Sequence, residues 1–169
     1  MEKQTRYIKK GTVLQVQGQQ NLNIYFVKKG LLRSYTIDSK GKEHIFMFAP
    51  EKWTINDNVA FIQNKPAELF IDTLEDSEIE IINSNFFDTT ESCSVEFYKT
   101  EFYRLLKRTS VLQERVIMLM STSALTRYQH FINTYPQLLQ RIPQKMIASY
   151  LGITPEALSK IRSNWTKKQ

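Results

Sequence analysis

The chain has 169 residues, 41% of them hydrophobic and 24% charged, with a net charge of +6, two histidines and one cysteine, Cys93. That apolar share excludes a disordered chain, and the longest apolar runs, only a few residues, exclude a transmembrane helix. One thiol excludes an internal disulfide, "MEKQTRYIKKG" lacks the apolar segment of a signal peptide, and a cytoplasmic protein is expected.

The first half reads as β. "TRYIKKGTVLQVQG" alternates apolar and polar residues around Gly11 and stops at Gly18. "NIYFVKKGLLRSYTID" gives two strands broken at Lys29-Gly30, "SKGKE" a tight turn, and "HIFMFAP" a strand ended by Pro50. "LFIDTLEDSEIEIINS" gives two more around Glu75-Asp76. Short strands at this spacing, separated by Gly, Asn and Asp turns, predict an antiparallel barrel or sandwich. Within it, residues 56–66 ("NDNVAFIQNKP") predict one short helix, capped by Asn56 or Asp57 and ended by Pro66.

The second half reads as helical. Ser84 suits the cap of a short turn through Phe87. "SVEFYKTEFYRLLKRTSVLQERVIMLMST" then runs without Gly or Pro. Tyr98, Phe102, Leu105, Thr109, Leu112, Val116 and Leu119 alternate steps of four and three, which is an a/d seam. A second face carries Tyr103, Leu106, Ile117 and Met120. Two apolar faces need two partners. One reading lays one face on the barrel and pairs the other with a second copy; the other buries both within the chain. A further helix, "SALTRYQHFINTY", ends at Pro136.

From residue 141 onward, Arg141, Lys145, Lys160, Arg162, Lys167 and Lys168 stand against one acid, Glu156. This segment holds nearly the whole positive excess, as a polyanion-binding surface or a solvated basic tail would. Its pattern is that of two short helices joined at Gly152. Ala148 is small where the helices cross, Gly152 tolerates a left-handed turn, and Ile147, Leu151, Ile153, Leu158 and Ile161 are anchors. Thr154 caps the second helix and Pro155 suits its first turn. Pro155, Glu156, Ser159, Lys160 and Ser163 then face outward. Glu156 suits a cytosine amine and Lys160 suits guanine O6/N7. Arg162, Lys167 and Lys168, with Lys145 on the first helix, suit phosphates. A plain helical hairpin is the bland alternative.

"IPQKMIASYLGITPEALSKIR", and above all "IASYLGITPEALS", resembles the helix-turn-helix of the Crp/Fnr family of bacterial transcription regulators. "KKGTVLQVQG" and "FVKKGLLR" resemble the glycine-marked strands of that family's cyclic-nucleotide-binding barrel. The resemblance implies an α+β chain in three parts. Residues 1–95 form an antiparallel β-roll effector domain, 96–122 a long dimerisation helix, and 123–169 a helix-turn-helix DNA-binding domain. The implied DNA-contacting residues are Lys145, Thr154, Glu156, Ser159, Lys160, Arg162 and Ser163. The implied partners are double-stranded DNA and a second copy of the chain, with RNA polymerase and a small-molecule effector as further partners of the family.

The chain departs from the family in three ways. Cyclic AMP receptors carry a Gly-Glu pair for the ribose and an Arg-Ser/Thr pair for the cyclic phosphate. Here Asp57 and Asn58 stand at the first pair, and Ala67 and Glu68 at the second. Without the arginine there is no charge-assisted clamp, and a glutamate adds repulsion, so no cAMP response is expected. The pocket framed by Phe46, Phe48, Trp53, Asn58, Val59, Phe61, Ala67, Glu68 and Phe70 would suit a neutral or apolar effector, or none. One cysteine excludes the family's iron–sulfur cluster, and His44 and His130 read as ordinary residues rather than haem ligands, so no cofactor or metal is expected. Only seven residues follow Arg162, so the β-hairpin wing is expected to be missing or vestigial. The helix that commonly precedes the barrel is also expected to be absent, and polymerase contacts carry over to no residue.

Two isolated histidines cannot supply a cupin-like metal cluster, and neither a catalytic triad nor a phosphate loop is visible, so no enzymatic activity is expected. A β-roll that binds a ligand or protein, with the terminal helices as scaffold, is the alternative to a DNA-binding regulator. Salt dependence separates the two.

Overall fold

In the computed structural model the described residues are 4–20, 23–83 and 94–166. They fall into two compact units, Met1–Thr90 and Glu91–Gln169. The turn expected from Ser84 to Phe87, like Cys93, lies outside the described residues.

Among its described residues the first unit has eight strands: β1 (Gln4–Ile8), β2 (Val13–Gln15), β3 (Asn23–Lys29), β4 (Leu32–Ile37), β5 (Glu43–Ala49), β6 (Thr54–Ile55), β7 (Phe70–Thr73) and β8 (Ser77–Asn83). A short helix, α1 (Asn58–Gln63), follows β6. The strands form two four-stranded antiparallel sheets, ordered β1-β8-β3-β6 and β2-β7-β4-β5. The continuous alternation read around Gly11 is thus two strands in different sheets, with Gly11 at φ +80° between them. β6, two residues long, has no period to betray it.

Tyr25, Val27, Leu32, Ala49, Ile55, Ile71 and Ile79 make the core, drawn from both sheets. The chain crosses from one sheet to the other at Gly30, which has φ +101°. A Cβ there would lie 2.3 Å from Ser77 Oγ, so only glycine fits.

The β4–β7 pair carries a buried charge. The Arg33 guanidinium donates to both Asp72 oxygens, at 2.8 and 2.9 Å, and also to Glu43. It lies 4.1 Å from the centre of the Tyr35 ring, which stacks on Phe70. Burial opposes the Arg33 charge, but the hydrogen bonds to Asp72 and Glu43 outweigh it and hold the pKa above the ordinary arginine value.

The described residues of the second unit are helical: α2 (Val95–Ser121), α3 (Ala124–Thr134), a 3-10 turn (Pro136–Leu138), α4 (Gln144–Tyr150) and α5 (Pro155–Thr166). Ser94 caps α2 through the Phe97 N–H, and Ser123 caps α3 through the Thr126 N–H. The Arg127 guanidinium donates to the Thr122 carbonyl at 2.8 Å and fastens the turn between them. Tyr128, Phe131, Leu138, Ile142, Ile147, Ala148, Leu151 and Leu158 are buried.

In the single chain no residue of α2 is buried. On the seam, Tyr98, Phe102, Leu105, Thr109, Val116 and Leu119 are exposed and Leu112 is half-buried. On the second face, Tyr103 is 71% exposed and Met120 82%, with Leu106 and Ile117 also exposed. The α2 residues that line a cavity with α3 and α4 are Val111, Glu114, Arg115, Met118 and Leu119. No helix among the described residues is long and apolar enough to cross a membrane.

Candidate nucleic-acid interface and effector cassette

α4 closes on hydrogen bonds from the Leu151, Gly152 and Ile153 N–H groups to the Ile147, Ser149 and Ala148 carbonyls, each 3.0 Å. This wrap puts Gly152 at φ +68° and turns the chain into α5. Thr154 Oγ1 accepts from the Ala157 N–H at 3.2 Å and caps α5, and Pro155 fills its first position. Ile147, Ala148, Leu151 and Leu158 are buried, and Ile153, Ile161 and Trp165 half-buried, which fixes the inner face.

On the outer face Pro155, Glu156, Ser159, Lys160, Ser163 and Asn164 line one shallow, open depression. Five of these six are the outward-facing residues expected from the sequence. The sixth, Asn164, is not among them, although carrying the Glu156–Lys160 step one turn further finds it. The Thr154 hydroxyl is engaged in the cap, so it is a structural member of the surface. The Glu156 carboxyl lies below the usual range because its own backbone N–H and the Thr154 hydroxyl hydrogen-bond to it. Lys145 is exposed on the first turn of α4, and Arg162 is exposed on α5. Lys167 and Lys168 lie outside the described residues.

α2 grips this helix pair. Arg115 Nη2 donates to the Tyr150 carbonyl at 3.2 Å, and its guanidinium lies 4.1 Å from the centre of the Tyr150 ring. Burial lowers the Arg115 pKa against the opposing pull of Tyr150 and Tyr135. A Cβ on Gly152 would meet Leu119 Cδ2 at 3.2 Å, so this seam residue abuts the turn itself.

In the first unit the helix expected over 56–66 is α1, with Asp57 as its cap. It stops at Asn64, which is left-handed with φ 49°, before Pro66 is reached. The Asp57 side chain is only 3% exposed. Its Oδ1 accepts from the Ala60 N–H at 3.2 Å, and its Oδ2 from the Glu68 and Leu69 N–H groups at 2.8 and 3.0 Å. One carboxylate thereby ties the start of α1 to the chain eleven and twelve residues on. Sequence could suggest the cap but not the second tie, because it depends on how the loop after Pro66 folds back.

The nine residues expected to frame an effector pocket have the following surroundings. Phe61 and Ala67 join Ala60 in a small apolar cluster. Trp53 packs on the core between the sheets. Phe70 stacks on Tyr35, and Phe48 is buried on β5 opposite Arg33. Val59 is 53% exposed, and Phe46, Asn58 and Glu68 are also exposed. The histidines have local partners: His44 with Asp38 at 2.8 Å, and His130 with Thr134 at 3.3 Å. Among the described residues no three of His, Cys, Asp and Glu gather as a metal site.

The chain is similar in fold to FixK2 of Bradyrhizobium japonicum, with a TM-score of 0.82 and 16% identity over 99% of this chain and 86% of that one. It is similar to CLP, the c-di-GMP responsive global regulator of Xanthomonas campestris, with a TM-score of 0.75 and 13% identity over 98% and 87%. It is also similar to a transcriptional regulator of the CRP/FNR family from Thermus thermophilus, with a TM-score of 0.73 and 16% identity over 98% and 87%. No curated protein matches the chain. The cyclic nucleotide-binding domain model matches residues 5–92, more than half of the 169, and the chain belongs to that family.

Proposed function

We propose that this chain is a sequence-specific, DNA-binding transcription regulator of the Crp/Fnr type, a cytoplasmic homodimer and not an enzyme. The observation that carries it is the α4–α5 pair. A left-handed glycine joins two short helices over a buried alanine, and the second presents Glu156, Ser159, Lys160 and Ser163 on its outer face. Glu156 and Lys160 offer an acceptor and a donor to base edges, while Lys145 and Arg162 reach phosphates.

The reading includes a two-fold dimer through the α2 seam, and the exposure of six of its seven residues supports that part. Two copies of α5 then address half-sites one DNA turn apart, roughly 34 Å. Selection of bound sequences from a random pool of duplexes should return a palindrome with that spacing. Its affinity should fall steeply with salt, since each neutralised phosphate releases counterions. Salt-insensitive binding to a protein, with no DNA selected, would favour the alternative of a β-roll interaction module.

The regulator does not answer to cyclic AMP. A cyclic phosphate needs a buried cation or free donors, or its desolvation stands uncompensated. The cassette offers Ala67 and Glu68, and the backbone donors of Glu68 and Leu69 already serve the Asp57 carboxylate. The cyclic nucleotide therefore does not fit the residues present. Titration with cAMP or cGMP to millimolar concentration should leave Trp53 fluorescence and heat release flat; saturable micromolar binding would overturn this.

A further inference from the structure

We infer that Asn164 is a base-reading side chain and that it takes an adenine, about two base pairs from the guanine taken by Lys160. This rests on the DNA-binding reading and adds a residue and a base to it. Asn164 lines the same depression as Glu156, Ser159, Lys160 and Ser163. Successive residues of an α-helix advance about 100° and 1.5 Å. Glu156, Lys160 and Asn164 therefore form one ridge, each about 40° round from the last and about 6 Å further along. A base pair rises about 3.4 Å, so steps of this length match roughly every second pair.

Arg162 lies on the other side of Ser163, about 160° from Asn164. The two mark opposite edges of the exposed arc, and a charged and a neutral residue there divide the work. The guanidinium suits the phosphate wall. A neutral amide makes only a weak phosphate contact but pairs well with a base.

The chemistry singles out adenine. An asparagine amide carries a donor and an acceptor side by side, and adenine presents the N7 acceptor and N6 donor side by side in the major groove. Glu156 can only accept while ionised, and Lys160 can only donate. The ridge therefore presents three different patterns in order: acceptor, donor, and the two together.

Two alternatives for Asn164 fall away on position. Asparagine often ends a helix in the left-handed conformation, but α5 continues through Thr166, and the described non-glycine residues with positive φ are Lys52 and Asn64. Helical side chains lean toward the N-terminus, so Asn164 leans toward Lys160 and the depression rather than off the end of the helix. Asparagine is also among the weaker helix formers, so helix stability gives no reason for it at an exposed interior position.

The test uses the full-length protein and a random duplex pool. Wild type and Asn164→Ala are selected in parallel, and the position weights compared. Wild type should show one strong adenine position per half-site. Asn164→Ala should lose preference there by about 5- to 150-fold and leave the other positions and the salt slope unchanged. Placing 7-deazaadenine at that position removes the N7 acceptor, and should weaken wild type but not Asn164→Ala. Alanine favours the helix, so equal thermal stability is expected and a folding defect is not a confound. Two outcomes overturn the inference while leaving DNA binding intact: full retention of the adenine preference by Asn164→Ala, or an equal loss on all sequences. If wild type itself selects no sequence, the DNA-binding reading fails and this one with it.

Discussion

Replacing Asp57 by alanine should weaken the β-roll far more than a surface change would. The carboxylate serves three backbone donors at once, those of Ala60, Glu68 and Leu69. Loss of the helix cap costs about 1 kcal/mol. Each of the other two donors costs about 1–3 kcal/mol if buried without an acceptor. Glu68 is exposed and water can reach its N–H, whereas Leu69 is half-buried, so the larger share falls there. The sum is about 3 kcal/mol, or roughly 15 °C in Tm for a unit of this size. Asp57→Asn should fall between, since one oxygen can serve either the cap or the far pair but not both. The chain has two tryptophans, Trp53 and Trp165, in different units. Urea unfolding followed by Trp53 fluorescence in a Trp165→Phe background therefore reports on the roll alone. A loss below about 0.5 kcal/mol for Asp57→Ala would be no more than a surface change gives, and would refute the tie.

Replacing Leu112 and Val116 together by glutamate should yield monomers by light scattering with helical content retained; a wild type already monomeric at micromolar concentration would refute the α2 seam. Lys160→Ala should cost about 1–3 kcal/mol on the selected site and relax one base pair, while Arg162→Ala should weaken all sequences alike and reduce the salt slope by about one. Equal losses on specific and random DNA for Lys160→Ala would remove it from the reading set. The hydrogen bond from His44, with those from the Lys42 and Lys40 N–H groups, holds Asp38 down to about 2 from an ordinary 3.8. Its folded pKa is depressed, so its contribution is present above about pH 4 and is lost as pH falls toward 2. Asp38→Asn should flatten that part of the acid-unfolding profile.

The strands of the roll were legible because glycine and proline punctuate them and because core residues alternate, as Tyr25 and Val27 do on β3. What sequence could not give was which strands share a sheet. Gly11 and Gly30 both mark crossings between sheets, yet a turn glycine reads the same whether the chain returns to its own sheet or leaves for the other. The cassette was half legible for a related reason. Asp57 before an apolar turn announces a cap, and the missing arginine at Ala67 is plain. The hydrogen bonds from Glu68 and Leu69 to Asp57 join residues that no period connects.

The long helix shows the opposite failure. Its a/d spacing is plain in the sequence, whereas the face that packs within its own unit has no such period. The packing face holds Val111, Glu114, Arg115, Met118 and Leu119, and Arg115 reads as a polar interruption. It belongs there because an arginine can lay its stem and planar guanidinium against an aromatic ring while donating to a carbonyl, and Tyr150 supplies both. Leu119 belongs to the a/d seam and also abuts Gly152, so a residue of the proposed pairing face touches the turn between α4 and α5. A lysine at 115 would keep the charge but lose the stacking plane, and would loosen the α4–α5 pair without altering one seam position. The proposed pairing along α2 and the placement of α5 should therefore be separable by substitution, Arg115→Lys disturbing the second and the Leu112/Val116 glutamate pair the first.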